Sequence, residues 1–191
     1  MCVTNPKAIN VREPMTVYKA IVKIYYTDHT DPWNVTRNHF YRTPFQWVTI
    51  PNEVVEGKGV YEAGQPQYIP GSRDIADNGI GAGYVHAYAD LESVAKEYMG
   101  FYTHVINKDD SHRRLNELEH VENNPNKLIF KKEVVIYECT VYQSADENYC
   151  WEGNFDTDKS LRCVCARRLT FDRQVDEETL RHCARSRGQK T

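Results

Sequence analysis

Residues 128–142, Leu-Ile-Phe-Lys-Lys-Glu-Val-Val-Ile-Tyr-Glu-Cys-Thr-Val-Tyr, constrain the fold more than any other stretch. The run is rich in β-branched and aromatic side chains, which suit a pleated strand. A period of two puts Val135, Tyr137, Cys139 and Val141 on one face. Val134, Ile136, Glu138, Thr140 and Tyr142 fall on the other. With apolar groups on both faces, the strand is expected inside a sheet that is covered on both sides. A chain built around such a strand needs neighbours for both of its edges.

Further strands supply them. Residues 15–26 and 161–171 read as strands, and Tyr84–Ala89 as a short one. Residues 39–50 look extended, but Pro44 confines them to an edge or to two short pieces. Residues 51–83 are rich in glycine and proline and read as one long loop. Residues 143–160 read as a polar loop around Trp151-Glu152-Gly153.

Three helices are predicted. Asp90 is an N-cap with Glu92 in the first turn, and Leu91, Val94, Ala95, Tyr98 and Met99 share one face. Gly100 closes that helix as a left-handed cap. A second helix follows Asp109-Asp110, with Leu115, Leu118 and Val121 on one side, and stops before Pro125. Its His112, Glu117, Glu119 and His120 read as a solvated face. Asp176 caps a third helix that runs to about Arg187, supported by Glu177 with Arg181 and Glu178 with His182, and closed by Gly188. The element order shows no βαβ alternation. The expected fold is α+β, a single domain over 1–191 with a mainly antiparallel, twisted sheet and about three helices.

The 24 basic and 27 acidic residues leave a net charge of -3, which argues against wholesale nucleic-acid binding. The basic end, with Arg181, Arg185, Arg187 and Lys190, complements a helix C-terminus. No apolar run reaches the roughly 18 residues a membrane helix needs. The first residues carry no hydrophobic core segment, so the expected location is the cytoplasm. The six cysteines hold no C-x-x-C pair, and no metal site is expected. Cys163 and Cys165 share a face with Leu161, Leu169 and Phe171 and read as buried apolar residues. Cys2, if exposed by removal of Met1, is a possible N-terminal nucleophile, with a packed terminus as the alternative.

Several residues could carry chemistry. Glu138 sits in mid-strand, and Arg167 falls on the face of Cys165 and Leu169, so the two could pair if their strands are neighbours. Tyr18 and Lys19 open the exposed half of the first strand. Tyr84, His86 and Tyr88 share one face of the short strand, where His86 is either a base, a phosphate donor or a structural residue. Gly79-x-Gly-x-Gly83 precedes a strand rather than opening a helix, and reads as a flexible turn. Thirteen tyrosines give apolar area with a polar tip, which suits half-exposed sheets and binding surfaces.

Two resemblances meet at these residues. The opening Met-Cys-Val-Thr, Val17-Tyr18-Lys19, Thr43-Pro44-Phe45, the Asp90-Leu-Glu-Ser-Val-Ala helix start and Trp151-Glu152-Gly153 resemble uncharacterised small phage and prophage proteins. Tyr18-Lys19, Gly83-Tyr84 and Ala95-x-x-Tyr98 follow the order seen in the ADP-ribosyltransferase-like scaffold. No first-strand His-Gly or Arg-Gly is present. The first resemblance by itself implies no activity. With the tyrosine-rich composition, the long glycine-rich loop and the lack of a complete catalytic set, it points to an accessory protein in a bacterial host cell. It would bind a nucleotide-like ligand or a host protein, for instance to blunt a defence system, without catalysis. The ligand residues would be Tyr18, Lys19, Tyr84, His86, Tyr88 and Arg167. The second implies NAD as cofactor, held by Tyr18, Lys19 and Tyr84. Glu138 or Glu152 would be catalytic there, with His86 as a further candidate. A structural or virion-associated module is the remaining alternative.

Overall fold

Lys127–Val141 forms strand β7 in the middle of a sheet. Met15–Asp31 (β2) runs antiparallel along one edge, from Met15 opposite Val141 to Asp28 opposite Lys127. Arg168–Val175 (β10) runs along the other, from Leu169 opposite Val141 to Val175 opposite Ile136. The computed structural model describes residues 3–31, 33–44, 49–62, 84–102, 127–141, 150–155 and 158–186. The predicted helix after Asp110, the glycines at 79–83, most of the 51–83 loop, Cys2 and the residues after 186 lie outside these.

Among the described residues one sheet takes in ten strands. Val3–Ile9 (β1) lies at one edge, followed by Cys150–Phe155 (β8), Arg162–Ala166 (β9) and Val85–Tyr88 (β6). Then come β2, β7, β10 and Tyr61–Glu62 (β5). Asn34–Arg42 (β3) joins β2, and Thr49–Ile50 (β4) joins β3. Every pairing is antiparallel. With helices Asn52–Val55 (α1), Leu91–Glu97 (α2) and Glu177–Ser186 (α3), the fold is α+β as expected.

At 17 residues, β2 is long enough to share its second edge between two neighbours. Tyr18 pairs with Tyr88 of β6, and Val22–Asp31 pair with β3. The half of the sheet made by β1, β8, β9 and β6 therefore meets β2 over a short seam at Tyr18.

The sheet separates two apolar clusters. Val17, Ile21, Val135, Cys139, Val164 and Phe171 belong to the first, with Val55 of α1. Ala20, Ile136, Tyr88, Phe155, Cys163 and Cys165 belong to the second, with Val94 and Ala95 of α2 and Leu180 of α3. The two long helices thus cover one face of the sheet. Asp90 caps α2 by accepting from Ser93 N–H at 2.8 Å, and Asp176 caps α3 by accepting from Thr179 N–H at 2.8 Å.

Several sequence expectations are corrected. Residues 161–171 do not make one strand. β9 ends at Ala166 and β10 begins at Arg168, so the chain leaves one part of the sheet at Arg167 and enters another. Cys163 and Cys165 accordingly pack in the second cluster, whereas Leu169 and Phe171 pack in the first. Trp151-Glu152-Gly153 belongs to a strand, β8, held by partners on both sides. The start of the 51–83 loop contains α1 and β5. The N-terminus forms an edge strand, with a register shift between Thr4 and Lys7 around Pro6, which lacks a donor for the ladder. Gly100 is not a left-handed cap. It lies in a π-helical turn, Tyr98–Tyr102, and among the described glycines only Gly57 has positive φ, at 80°.

Candidate functional site

The seam between β6 and β2 gathers most of the candidate residues. Tyr18 stands directly across from Tyr88 on one side and from Glu138 on the other. Tyr88 is 4% exposed, with its ring 4.8 Å from Phe155, so it is a core residue. Tyr18 and Tyr84 are half-buried at the border of the same cluster. The Tyr18 hydroxyl is pushed above its usual range by burial and by the nearby Glu138 carboxylate, against the opposing pull of Arg173.

Glu138 does not meet Arg167. A register shift between Phe171 and Arg173 moves β10 on by one residue and sets Arg173 opposite Glu138. Arg173 Nε donates to Oε1 at 3.2 Å, and Nη2 donates to Oε2 at 2.8 Å. This two-pronged bond holds the Glu138 carboxyl below its usual range. The Arg173 side chain is 74% exposed, so its guanidinium is accessible, and its charge reaches the Tyr18 hydroxyl. Arg167 sits at the corner between β9 and β10. Arg173 was not singled out in the sequence, because the extra residue at Asp172 breaks the alternation that pointed to Arg167.

Lys19 lies on the opposite face from Tyr18. It alternates with Val17 and Ile21, neither of which has exposed surface, rather than opening an exposed half-strand. Its Nζ donates to the His86 carbonyl at 2.6 Å, across the seam where β6 and β2 separate. Burial of the amine lowers its pKa to about 8. His86 is held neutral in turn: burial, reinforced by the Lys19 charge, lowers it to about 4. Its Nε2 is buried and has no hydrogen-bond partner among the described residues. Lys19 and His86 thus form a half-buried polar pair that ties the two halves of the sheet together.

Glu152 is far from this set. It lies on β8, opposite Val164 of β9 and Lys7 of β1, and forms an ion pair with Arg162. Three strands, β9, β6 and β2, separate β8 from β7. The structure therefore brings together Tyr18, Tyr88 and Glu138, leaves Tyr84 at the far end of β6 against the same cluster, and sets Glu152 and Arg167 apart. Among the described residues no three His, Cys, Asp or Glu side chains converge as a metal site. Among the described residues Cys139, Cys150, Cys163, Cys165 and Cys183 form no disulfide. No described helix is long and apolar enough to cross a membrane.

Comparison of the chain with protein families, with curated proteins and with solved structures finds no match in any of the three.

Proposed function

We propose that the chain binds rather than reacts, and that its ligand is nucleotide-like. The observation that carries this reading is the half-buried Tyr18 with the exposed Arg173 fork near enough for its charge to act on the Tyr18 hydroxyl. A tyrosine face suits a base, and a planar guanidinium suits a phosphate, to which it can give two parallel bonds. Glu138 holds the fork in place until an anionic ligand takes it over. In the setting that the phage resemblance implies, this is an accessory protein of the bacterial cytoplasm. Capture of a nucleotide, or of a host protein at the same face, would blunt a defence system.

Calorimetric titration with AMP, ADP and NAD tests the reading. Wild type should bind one of them, and Tyr18→Ala and Arg173→Ala should each weaken binding at least about ten-fold, given about 1–3 kcal/mol for base stacking. Glu138→Gln should leave the fold intact, since an ion pair this exposed is screened by solvent and contributes little. No heat with any of the three, or wild-type affinity in both alanine variants, contradicts the proposal.

NAD-dependent transfer is the second reading, on the observation that Glu138 stands directly across from Tyr18. It requires that Arg173 release the carboxylate. NAD turnover with a labelled target in host lysate, abolished by Glu138→Gln, would favour it.

A further inference from the structure

We infer that the far half of the sheet formed by β2, β3 and β7 is a track for single-stranded nucleic acid. This surface is separate from the Tyr18 face and does not depend on it.

Beyond Val22 the cross-strand register gathers cations and rings on one face. Lys23 lies between Tyr41 and Glu133, and Tyr25 lies between His39 and Lys131. Arg37 follows, opposite Thr27. The ammonium groups of Lys23 and Lys131 stand 5.0 and 5.1 Å from the centre of the Tyr25 ring. The Tyr25 hydroxyl donates to Glu133 at 2.5 Å, which fixes the ring. The His39 ring lies 6.0 Å from that of Tyr25 and 5.3 Å, edge-on, from that of Tyr41. Tyr41 is buried, whereas Tyr25 and His39 are half-exposed, and Arg37 and Lys131 are exposed. At the turn that joins β2 to β3, Trp33 is 95% exposed.

Among the described residues Lys23, Arg37 and Lys131 on this face meet two carboxylates, Glu133 and the Glu56 that acts on His39, in a chain whose net charge is -3. The local sign is therefore opposite to that of the whole molecule. Rings interleaved with cations match a strand of unstacked bases, which offers π-faces and phosphates in alternation. An acidic peptide would supply the charges without the faces, and a duplex hides its faces in the stack.

Fluorescence anisotropy of the full chain with a labelled oligothymidine of about twelve nucleotides tests this. Wild type should bind saturably at low salt. Its log–log salt slope should be near -2, since about 0.7 is lost per neutralised phosphate and three cations take part. Arg37→Gln with Lys131→Gln should weaken binding at least about ten-fold and flatten the slope by about one or more. Trp33→Ala changes an exposed side chain, so it should weaken binding about ten-fold while sparing the slope and the melting temperature. Four outcomes overturn the proposal. They are no saturable binding, equal affinity for a duplex, equally effective competition by polyglutamate, or loss of binding in Arg181→Gln with Arg185→Gln but not in the sheet variants.

Discussion

On acidification from neutral pH to pH 5 the protein should lose about 2 kcal/mol of stability through His86 alone. The loss should approach about 3 kcal/mol at pH 4. Burial and the Lys19 charge lower the folded-state pKa to about 4, whereas an unfolded histidine titrates near 6.5. Between these values the unfolded chain binds a proton that the folded chain refuses. The contribution is therefore complete above pH 6.5 and is lost as the pH falls toward 4. For a chain of this length 2 kcal/mol corresponds to a drop of about 4–8 °C in Tm. Melting curves of wild type and His86→Gln across this range check it: the variant should show a flatter acid limb. Carboxylates such as Glu138 and Asp176, whose pKa values are lowered by their bonds, add their own losses at lower pH. Parallel limbs for the two proteins down to pH 5 would show that the imidazole is not desolvated as described.

Phe155→Ala should cost about 3–5 kcal/mol, and Phe155→Leu only about 1 kcal/mol. Phe155 is 1% exposed at the end of β8, and its ring packs 4.8 Å from that of Tyr88. Truncation leaves a cavity beneath the residue that pairs with Tyr18, at the seam where the two halves of the sheet meet. The loss is accordingly expected in ligand affinity as well as in stability. Denaturant titration gives the first and calorimetry the second. A loss below 1 kcal/mol for the alanine variant would mean that the second cluster is not closed at this point.

Much of this arrangement was legible in the sequence. The two-faced run at 128–142 does lie between two strands, and the aspartate caps at 90 and 176 start their helices where the pattern placed them. What alternation could not show was where a strand changes partners. Cys163, Cys165, Leu169 and Phe171 keep one alternation interrupted only by Arg167, yet the chain changes sheet position there, and only the neighbours reveal it. The same limit misdirected the partner of Glu138. One extra residue at Asp172 turns Arg173 toward it, and no propensity marks that bulge. Lys19 shows a different failure. A lysine in an alternating run reads as solvent-facing, but here the amine replaces a missing ladder bond across the seam by donating to the His86 carbonyl. Trp151-Glu152-Gly153 has weak strand propensity, and it is extended because β1 and β9 hold both of its edges.

Native mass spectrometry of the chain purified from bacterial cytosol tests the central claim most directly. Wild type is expected to carry an extra mass that matches a nucleotide, and a Tyr18→Ala, Arg173→Ala double variant to appear bare. A bare wild type, or the same extra mass on the double variant, would contradict the assignment of the Tyr18 face as the ligand site.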